Sequence, residues 1–161
     1  MPPGTYFWNT AQNSRSPCSF VGNGWNERNG APERARQGSW MLVSNTAIKP
    51  ITFGSGLTAG LARLQDIAFE QVHPTPGVGW TPTVYQDLIT VSDTGGRAEF
   101  DGLYFYNIYR AASLYNTGRV RFGTIQGQVF DYFLFGNALQ DMVYLGNIHL
   151  WPFLVSRQQR P

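Results

Sequence analysis

Residues 84–91 read VYQDLITV, and after the segment DTGG at residues 93–96 the chain continues as FDGLYFYNIY at residues 100–109. β-branched and aromatic side chains suit the half-buried surface of a sheet, and adjacent glycines allow the positive φ of a tight reversal. The stretch therefore predicts a β-hairpin. The pattern extends to residue 135, and glycines at positions 95, 96, 102, 118, 123, 127 and 136 argue against a helix.

The flanking residues extend this β pattern in both directions. Strands are predicted at residues 39–53, 142–145 and 148–155, whereas Leu57, Leu61, Leu64 and Ala68 have the spacing of one helix over residues 57–72. The second half of that helix also alternates like a strand. Seven or eight strands without βαβ alternation predict an all-β fold with at most one short helix. We expect a two-sheet antiparallel β-sandwich, with jelly-roll topology ahead of an immunoglobulin-like one.

Two regions are predicted along the chain. Residues 1–38 contain four prolines and show no regular apolar period, which predicts an N-terminal arm or extended segment. The aromatic residues of this segment are too apolar for a solvated tail, so we expect Tyr6, Phe7, Trp8 and Trp25 to lie at an interface. The alternative is a meandering first strand with long loops. Residues 39–161 are predicted to form the β-sandwich domain.

The composition indicates a protein that hides surface in an assembly. Charged residues make up 14% and aromatic residues 15% of the chain, against about 25% charged in an ordinary globular domain. The alternative is a compact β-domain whose surface is uncharged and polar. A net charge of +2 predicts no specific nucleic-acid binding. Arg119 and Arg121, two apart on a predicted strand, are candidates for ion pairs at an interface.

Targeting signals are not recognisable in this sequence. The N-terminus lacks a basic segment followed by an apolar core, and no apolar run reaches the roughly 18 residues of a membrane span. We therefore expect synthesis in the cytoplasm without a signal peptide or a membrane-spanning segment. The single cysteine, Cys18, cannot form an internal disulfide.

No recognisable catalytic set is present, so we expect no enzyme activity, no cofactor and no metal site. His73 and His149 are far apart and lack the spacing of a metal pair. Glu99 and Asp101 are the one pair worth weighing, because carboxylates two apart share a strand face and glycosidases use two carboxylates. Glu99-Phe100-Asp101 resembles the first half of the E-x-D-x-x-E motif of concanavalin-like glycosidases, but Tyr104 occupies the third carboxylate position. A β-glycosidase is therefore a lesser alternative.

Aromatic side chains offer a second alternative function. An exposed aromatic face beside Asn and Gln would suit a carbohydrate-binding β-sandwich module. The candidates for sugar stacking are Trp8, Trp25, Trp40, Trp80, Trp151 and the run Tyr104-Phe105-Tyr106. Because alternation directs half of any strand inward, core packing is the competing role for these residues.

The features together resemble a viral shell protein: size, β pattern, low charge, many Gly and Asn residues and an aromatic N-terminal arm. More narrowly, the chain resembles the small major capsid protein of tailless icosahedral bacteriophages of thermophilic bacteria that carry an internal membrane. The resemblance implies single upright jelly rolls, a structural role in the virion, other capsid subunits as partners, and contact with lipid beneath the shell. No short motif carries it, so it transfers no functional residue.

Self-association is also expected. Exposed strand edges invite pairing with another chain, and proteins usually protect them with charge, especially lysine. Lys49 is the only lysine of this chain. We therefore predict a two-fold homodimer in which the arm or an edge strand crosses to the partner.

Overall fold

The computed structural model describes residues 1–14, 16–26, 36–54, 60–93 and 95–151. These residues form fourteen β-strands, and no helix occurs among them. The strands are β1 (Gly4–Phe7), β2 (Gln12–Ser14), β3 (Ser19–Val21), β4 (Ser39–Val43), β5 (Ile51–Phe53), β6 (Leu61–Gln65), β7 (Ala68–Gln71), β8 (Ile89–Ser92), β9 (Arg97–Asp101), β10 (Leu103–Tyr115), β11 (Val120–Phe122), β12 (Ile125–Asn137), β13 (Val143–Leu145) and β14 (Ile148–Leu150). Within the described ranges, no helix is long and apolar enough to cross a membrane.

The strands wind into a parallel β-solenoid with three faces. Face 1 stacks β1, β4, β7, the first part of β10, the first part of β12, and β14. Face 2 stacks β2, β5, β8 and the second parts of β10 and β12. Face 3 stacks β3, β6, β9, β11 and β13. Every one of these pairings is parallel, so each turn of the chain lies on the previous turn as one coil.

The predicted antiparallel sandwich, jelly roll included, is therefore wrong. The segment between β8 and β9 does not reverse the chain into a hairpin, because β8 belongs to face 2 and β9 to face 3. Alternation of inward and outward side chains is the same in a parallel solenoid strand as in a hairpin strand. What differs is the partner, since each strand pairs with a strand one coil away rather than with its neighbour in sequence.

The predicted helix over residues 57–72 is also wrong where the structure describes it. Residues 57–59 lie outside the described residues, and residues 61–71 form β6 and β7. Asp66, with a φ of 55°, makes the corner between these two strands. Ala62 and Leu64 of β6 and Phe69 of β7 are buried. A short strand, a corner and a second strand therefore produced apolar spacings of three and four.

Columns of buried side chains fill the solenoid. On face 1, Met41, Phe69 and Phe105 lie in register in successive coils. On face 3, Leu64, Phe100 and Phe122 do the same, and the rings of Phe100 and Phe122 are 5.0 Å apart. In these coils each column buries one large apolar side chain per coil, which gives the fold its continuous core.

Tight corners between face 3 and face 1 hold the coils in register. Gly102 has a φ of 60°, and a Cβ there would lie 2.2 Å from Asp66 Oδ1 of the preceding coil. Asp101 Oδ1 accepts hydrogen bonds from the Gly102 N–H at 3.0 Å and from the Thr124 N–H, one coil later, at 2.7 Å. This corner fixes where the outward side chains at the end of β9 lie.

The two ends of the core differ. At the N-terminal end, Met1, Trp8 and Phe20 are partly buried against the core. At the C-terminal end, Leu145 continues the column of Phe122, and Leu150 follows Phe105 and Gly127 of face 1. Leu145 is 50% exposed and Leu150 is 36% exposed. The C-terminal coil therefore presents apolar side chains of the core columns to solvent.

The segment predicted as an arm contributes to the solenoid. Within residues 4–14 and 16–21, the strands β1, β2 and β3 make the first coil on all three faces. Residues 27–35 of the predicted arm, and residues 152–155 of the predicted last strand, lie outside the described residues.

Candidate binding surface

A column of polar side chains runs along the outside of face 3. Arg63 of β6, Glu99 of β9, Arg121 of β11 and Tyr144 of β13 lie in register. Their neighbours within the strands are inward and apolar, so alternation directs these four outward. Parallel strands place successive members about 4.8 Å apart. The column thus crosses four coils with a regular spacing.

Glu99 is the electrostatic centre of this column. Its carboxylate accepts hydrogen bonds from Arg97 Nε at 2.9 Å and from Arg63 Nη2 at 3.1 Å. The hydrogen bond from Arg97 lowers the pKa of Glu99 below its ordinary value; burial opposes that shift, and Arg63 adds to it. Glu99 is therefore held as a carboxylate, which is the wrong protonation state for a general acid.

Asp101 lies on the same strand face as Glu99, as the sequence predicted. Its Oδ1 is the acceptor for the Gly102 and Thr124 N–H groups at the corner. Asp101 thus has a structural role in joining two coils. The two carboxylates considered for glycoside hydrolysis are both engaged by protein donors.

Arg121 has a different environment from the other arginines of face 3. Its guanidinium lies over the ring of Tyr144, 5.6 Å from the centroid. Among the described residues, no carboxylate lies within ion-pair distance of it and no acceptor takes a hydrogen bond from it. By contrast, Arg97 and Arg63 bind Glu99, and Arg119 Nε lies 2.9 Å from Asp141 Oδ2.

A groove of about 540 Å³ opens beside Arg121. Its lining residues are Arg97, Arg119, Val120, Arg121, Asp141, Met142 and Tyr144. Met142 is 65% exposed and Tyr144 is 51% exposed, so the groove combines apolar surface with guanidinium donors. A smaller cavity of about 150 Å³, lined by Arg63, Glu99 and Asp101 among others, shares Arg121 with it.

The structure brings together two of the predicted interface residues. Arg119 and Arg121 both line the groove. Arg63, Arg97, Met142 and Tyr144 were missed, because their contribution depends on the register between coils. Arg63 also lay within the predicted helix, and no pattern in the sequence indicated which strands would be neighbours.

The aromatic interface candidates lie elsewhere. Tyr6 is on the inward column of face 1, and Phe7 is exposed beside it. The ring of Trp8 packs edge-on against Phe20 at 5.5 Å. Trp25 stacks on Tyr104 at 4.7 Å, and its Nε1–H donates to the Gly102 carbonyl at 2.6 Å. These four residues do not form one surface with the arginine groove.

The tryptophans considered for sugar stacking are largely used in packing. Trp40 and Tyr104 lie in register on the outer side of face 1 and are fully buried. Trp25 and Trp151 pack against this pair. Trp80 packs against His73 and Phe130. The aromatic ring best placed for a ligand is therefore Tyr144, in the groove.

The two histidines and the cysteine do not come together in one site. His73 Nε2–H donates to the Asn107 carbonyl at 2.7 Å, and Nδ1 accepts from the Thr83 N–H at 2.9 Å. Cys18 is half-buried, with Sγ 3.1 Å from Ser14 Oγ. Within the described part of the chain, no group of three His, Cys, Asp or Glu side chains could hold a metal ion.

Comparison with known proteins gives no relative: no family model matches the chain, and neither do any curated proteins or solved structures. The resemblance to phage capsid proteins therefore stays a prediction from sequence.

Proposed function

We propose that this protein is a non-catalytic β-solenoid module that binds a polysaccharide along face 3. The observation that carries the proposal is the groove beside Arg121, where guanidinium donors and the exposed surfaces of Tyr144 and Met142 meet. Its volume lies within the roughly 300–1,000 Å³ of ligand pockets. Sugars present hydroxyl groups and apolar C–H faces together, and aromatic side chains with polar neighbours suit both.

An extended ligand is favoured by the architecture. The outward column repeats once per coil, and the groove and the smaller cavity share Arg121 along it. A polymer lying along this column would contact several coils at once. Binding rather than hydrolysis is favoured because a retaining or inverting glycosidase needs one protonated carboxylic acid, and Glu99 is held ionised by two arginines.

Glycan-array binding with the full chain tests this proposal. We expect the wild type to bind a set of polysaccharides and Tyr144→Ala to lose that binding, because the mutation removes the exposed ring. Trp80→Ala is the matched aromatic control, since Trp80 lies in the loop between β7 and β8 and does not line the groove. Equal binding by all three proteins would contradict the proposal.

A second candidate function is a structural subunit of a virion, working through self-association. The observation that favours it is the open C-terminal coil, where Leu145 and Leu150 extend the core columns into solvent. Among the described strands, β13 and β14 each pair on one side only. We propose a second copy of this chain as the partner, because a two-fold contact sets the same leucines and the same free edges against each other.

A further inference from the structure

We propose that the groove on face 3 is specific for a carboxylate-bearing sugar of the uronic acid class, with Arg121 binding the carboxylate and Tyr144 the sugar ring. This inference rests on the proposed glycan binding by face 3 and adds the chemical class of the ligand. It is carried by the arrangement of charge in the groove.

The groove has an uncompensated positive charge. Of its three arginines, Arg97 is bound to Glu99 and Arg119 to Asp141. Arg121 has no carboxylate partner among the described residues, although Glu99 is its neighbour in register. The two oxygens of Glu99 are already occupied by Arg97 and Arg63. An anionic group on the ligand would supply the missing partner of Arg121.

The geometry of Arg121 suits a planar anion. A guanidinium presents five N–H donors in a fixed plane, and these match the two oxygens of a carboxylate in a bidentate pair. A cation–π contact with Tyr144 fixes the orientation of the Arg121 guanidinium. Its N–H groups donate no hydrogen bond to any residue that the structure describes. Because Arg121 is the one arginine of the groove without a described carboxylate partner, the match is to one carboxylate bound at this position.

The apolar part of the groove lies next to this charge. Tyr144 and Met142 are both more than half exposed and line the same groove as Arg121. A sugar ring resting on Tyr144 would hold a carboxylate on its rim close to the guanidinium. A small inorganic anion would satisfy Arg121 but leave the apolar surface uncovered, and a neutral sugar would do the reverse.

The test compares ligands and variants together. Binding is measured by glycan array and then by calorimetry for the uronate-containing glycans that bind, for the same glycans after carboxyl reduction to the neutral sugar, and for sulfated glycans. We expect carboxyl reduction, Arg121→Met and Arg121→Lys each to weaken binding about ten- to hundredfold, because each removes the charge-assisted bidentate pair. Arg110→Gln is the control, because Arg110 stacks on a tyrosine as Arg121 does but lies outside face 3 and pairs with Asp131.

Each outcome has a distinct meaning. Neutral glycans that bind as well as uronates, or an Arg121→Met variant with unchanged affinity for uronates, would overturn the uronate inference and leave glycan binding intact. A preference for sulfated over carboxylated glycans would also overturn it. If no glycan of any class binds the folded wild type, the proposed function fails and the inference fails with it. Arg121 is exposed, and circular dichroism checks that its variants remain folded.

Discussion

His73 shows how one half-buried side chain ties a long loop to the solenoid. It lies among the rings of Trp80, Tyr85 and Phe130, with centroid distances of 6.3, 5.4 and 4.9 Å. Its two nitrogens bind backbone groups of Asn107 and Thr83, in an arrangement that requires the neutral ring. Burial lowers the pKa of His73 below its ordinary value of 6.5, against the opposing hydrogen bond to the Asn107 carbonyl.

This environment predicts a loss of stability in acid. Because the pKa is lower in the folded than in the unfolded state, the unfolded chain binds the proton more readily. The stabilisation that neutral His73 gives the folded state is therefore complete above pH 6.5. It declines as the pH falls from there towards the pKa of His73 in the folded protein. We expect the free energy of unfolding, measured by urea denaturation, to fall over this range. The fall should be smaller in His73→Gln.

Other groups also titrate in acid, so the comparison is with a matched variant. His149 is exposed on β14, and His149→Gln is the matched control for the loss of one histidine. If His73→Gln and His149→Gln give the same slope as the wild type, His73 does not carry this dependence.

At the scale of the elements, the close approach of the β10 and β12 backbones requires a glycine. Gly127 lies in register with Phe105 and has a φ of 135°. A Cβ at this position would lie 1.9 Å from the Phe105 carbonyl oxygen, which is backbone and has no room to move away. These two strands also make the transition between faces 1 and 2, with register shifts after Phe105.

Gly127→Ala is therefore expected to destabilise the fold by about 3 kcal/mol, the upper range for a residue forced into a glycine-only conformation. The measurement is the midpoint of urea unfolding followed by circular dichroism. Gly77→Ala is the control, because a Cβ at Gly77 meets nothing within 4 Å. A Gly127→Ala protein as stable as Gly77→Ala would show that β10 and β12 do not pack in this register.

At the scale of the whole molecule, the asymmetry of the two ends predicts association. The first coil covers its end of the core with Met1, Trp8 and Phe20, whereas Leu145 and Leu150 remain exposed at the other end. Leu145 is 50% and Leu150 36% exposed, so burying what remains of each would contribute about 0.5–1.5 kcal/mol. A two-fold dimer through the C-terminal coil would bury both on each subunit.

We expect sedimentation of the wild type at micromolar concentrations to show a dimer, and the double variant Leu145→Asp, Leu150→Asp to show a monomer. Val78→Asp is the control, because Val78 is also apolar and is fully exposed but lies in the loop between β7 and β8. A wild-type monomer of 18.0 kDa would refute the dimer. A dimer that survives the double substitution would place the contact elsewhere.

Deletion of residues 1–38 is a poor test of the dimer, because it removes the first coil and with it the cover over the core.

Some properties of this protein follow from the sequence alone. The spacing of the glycines and the runs of β-branched and aromatic residues predicted strands. Alternation predicted that Arg119 and Arg121 would lie on the opposite strand face from Val120 and Phe122. The same local pattern placed Glu99 and Asp101 on one face. These predictions depend on the backbone period of a single strand, which the residue order specifies directly.

Tertiary structure alone decided which strands are neighbours. The sequence between residues 84 and 109 fits a hairpin and a solenoid coil equally well, because both alternate with a period of two. Only the corners, such as that of Asp66 and Gly102, turn the chain onto the next face instead of reversing it. The groove followed from the same choice: Arg97, Arg121 and Tyr144 are up to 47 residues apart in the chain (144 − 97), and parallel register in adjacent coils brings them together.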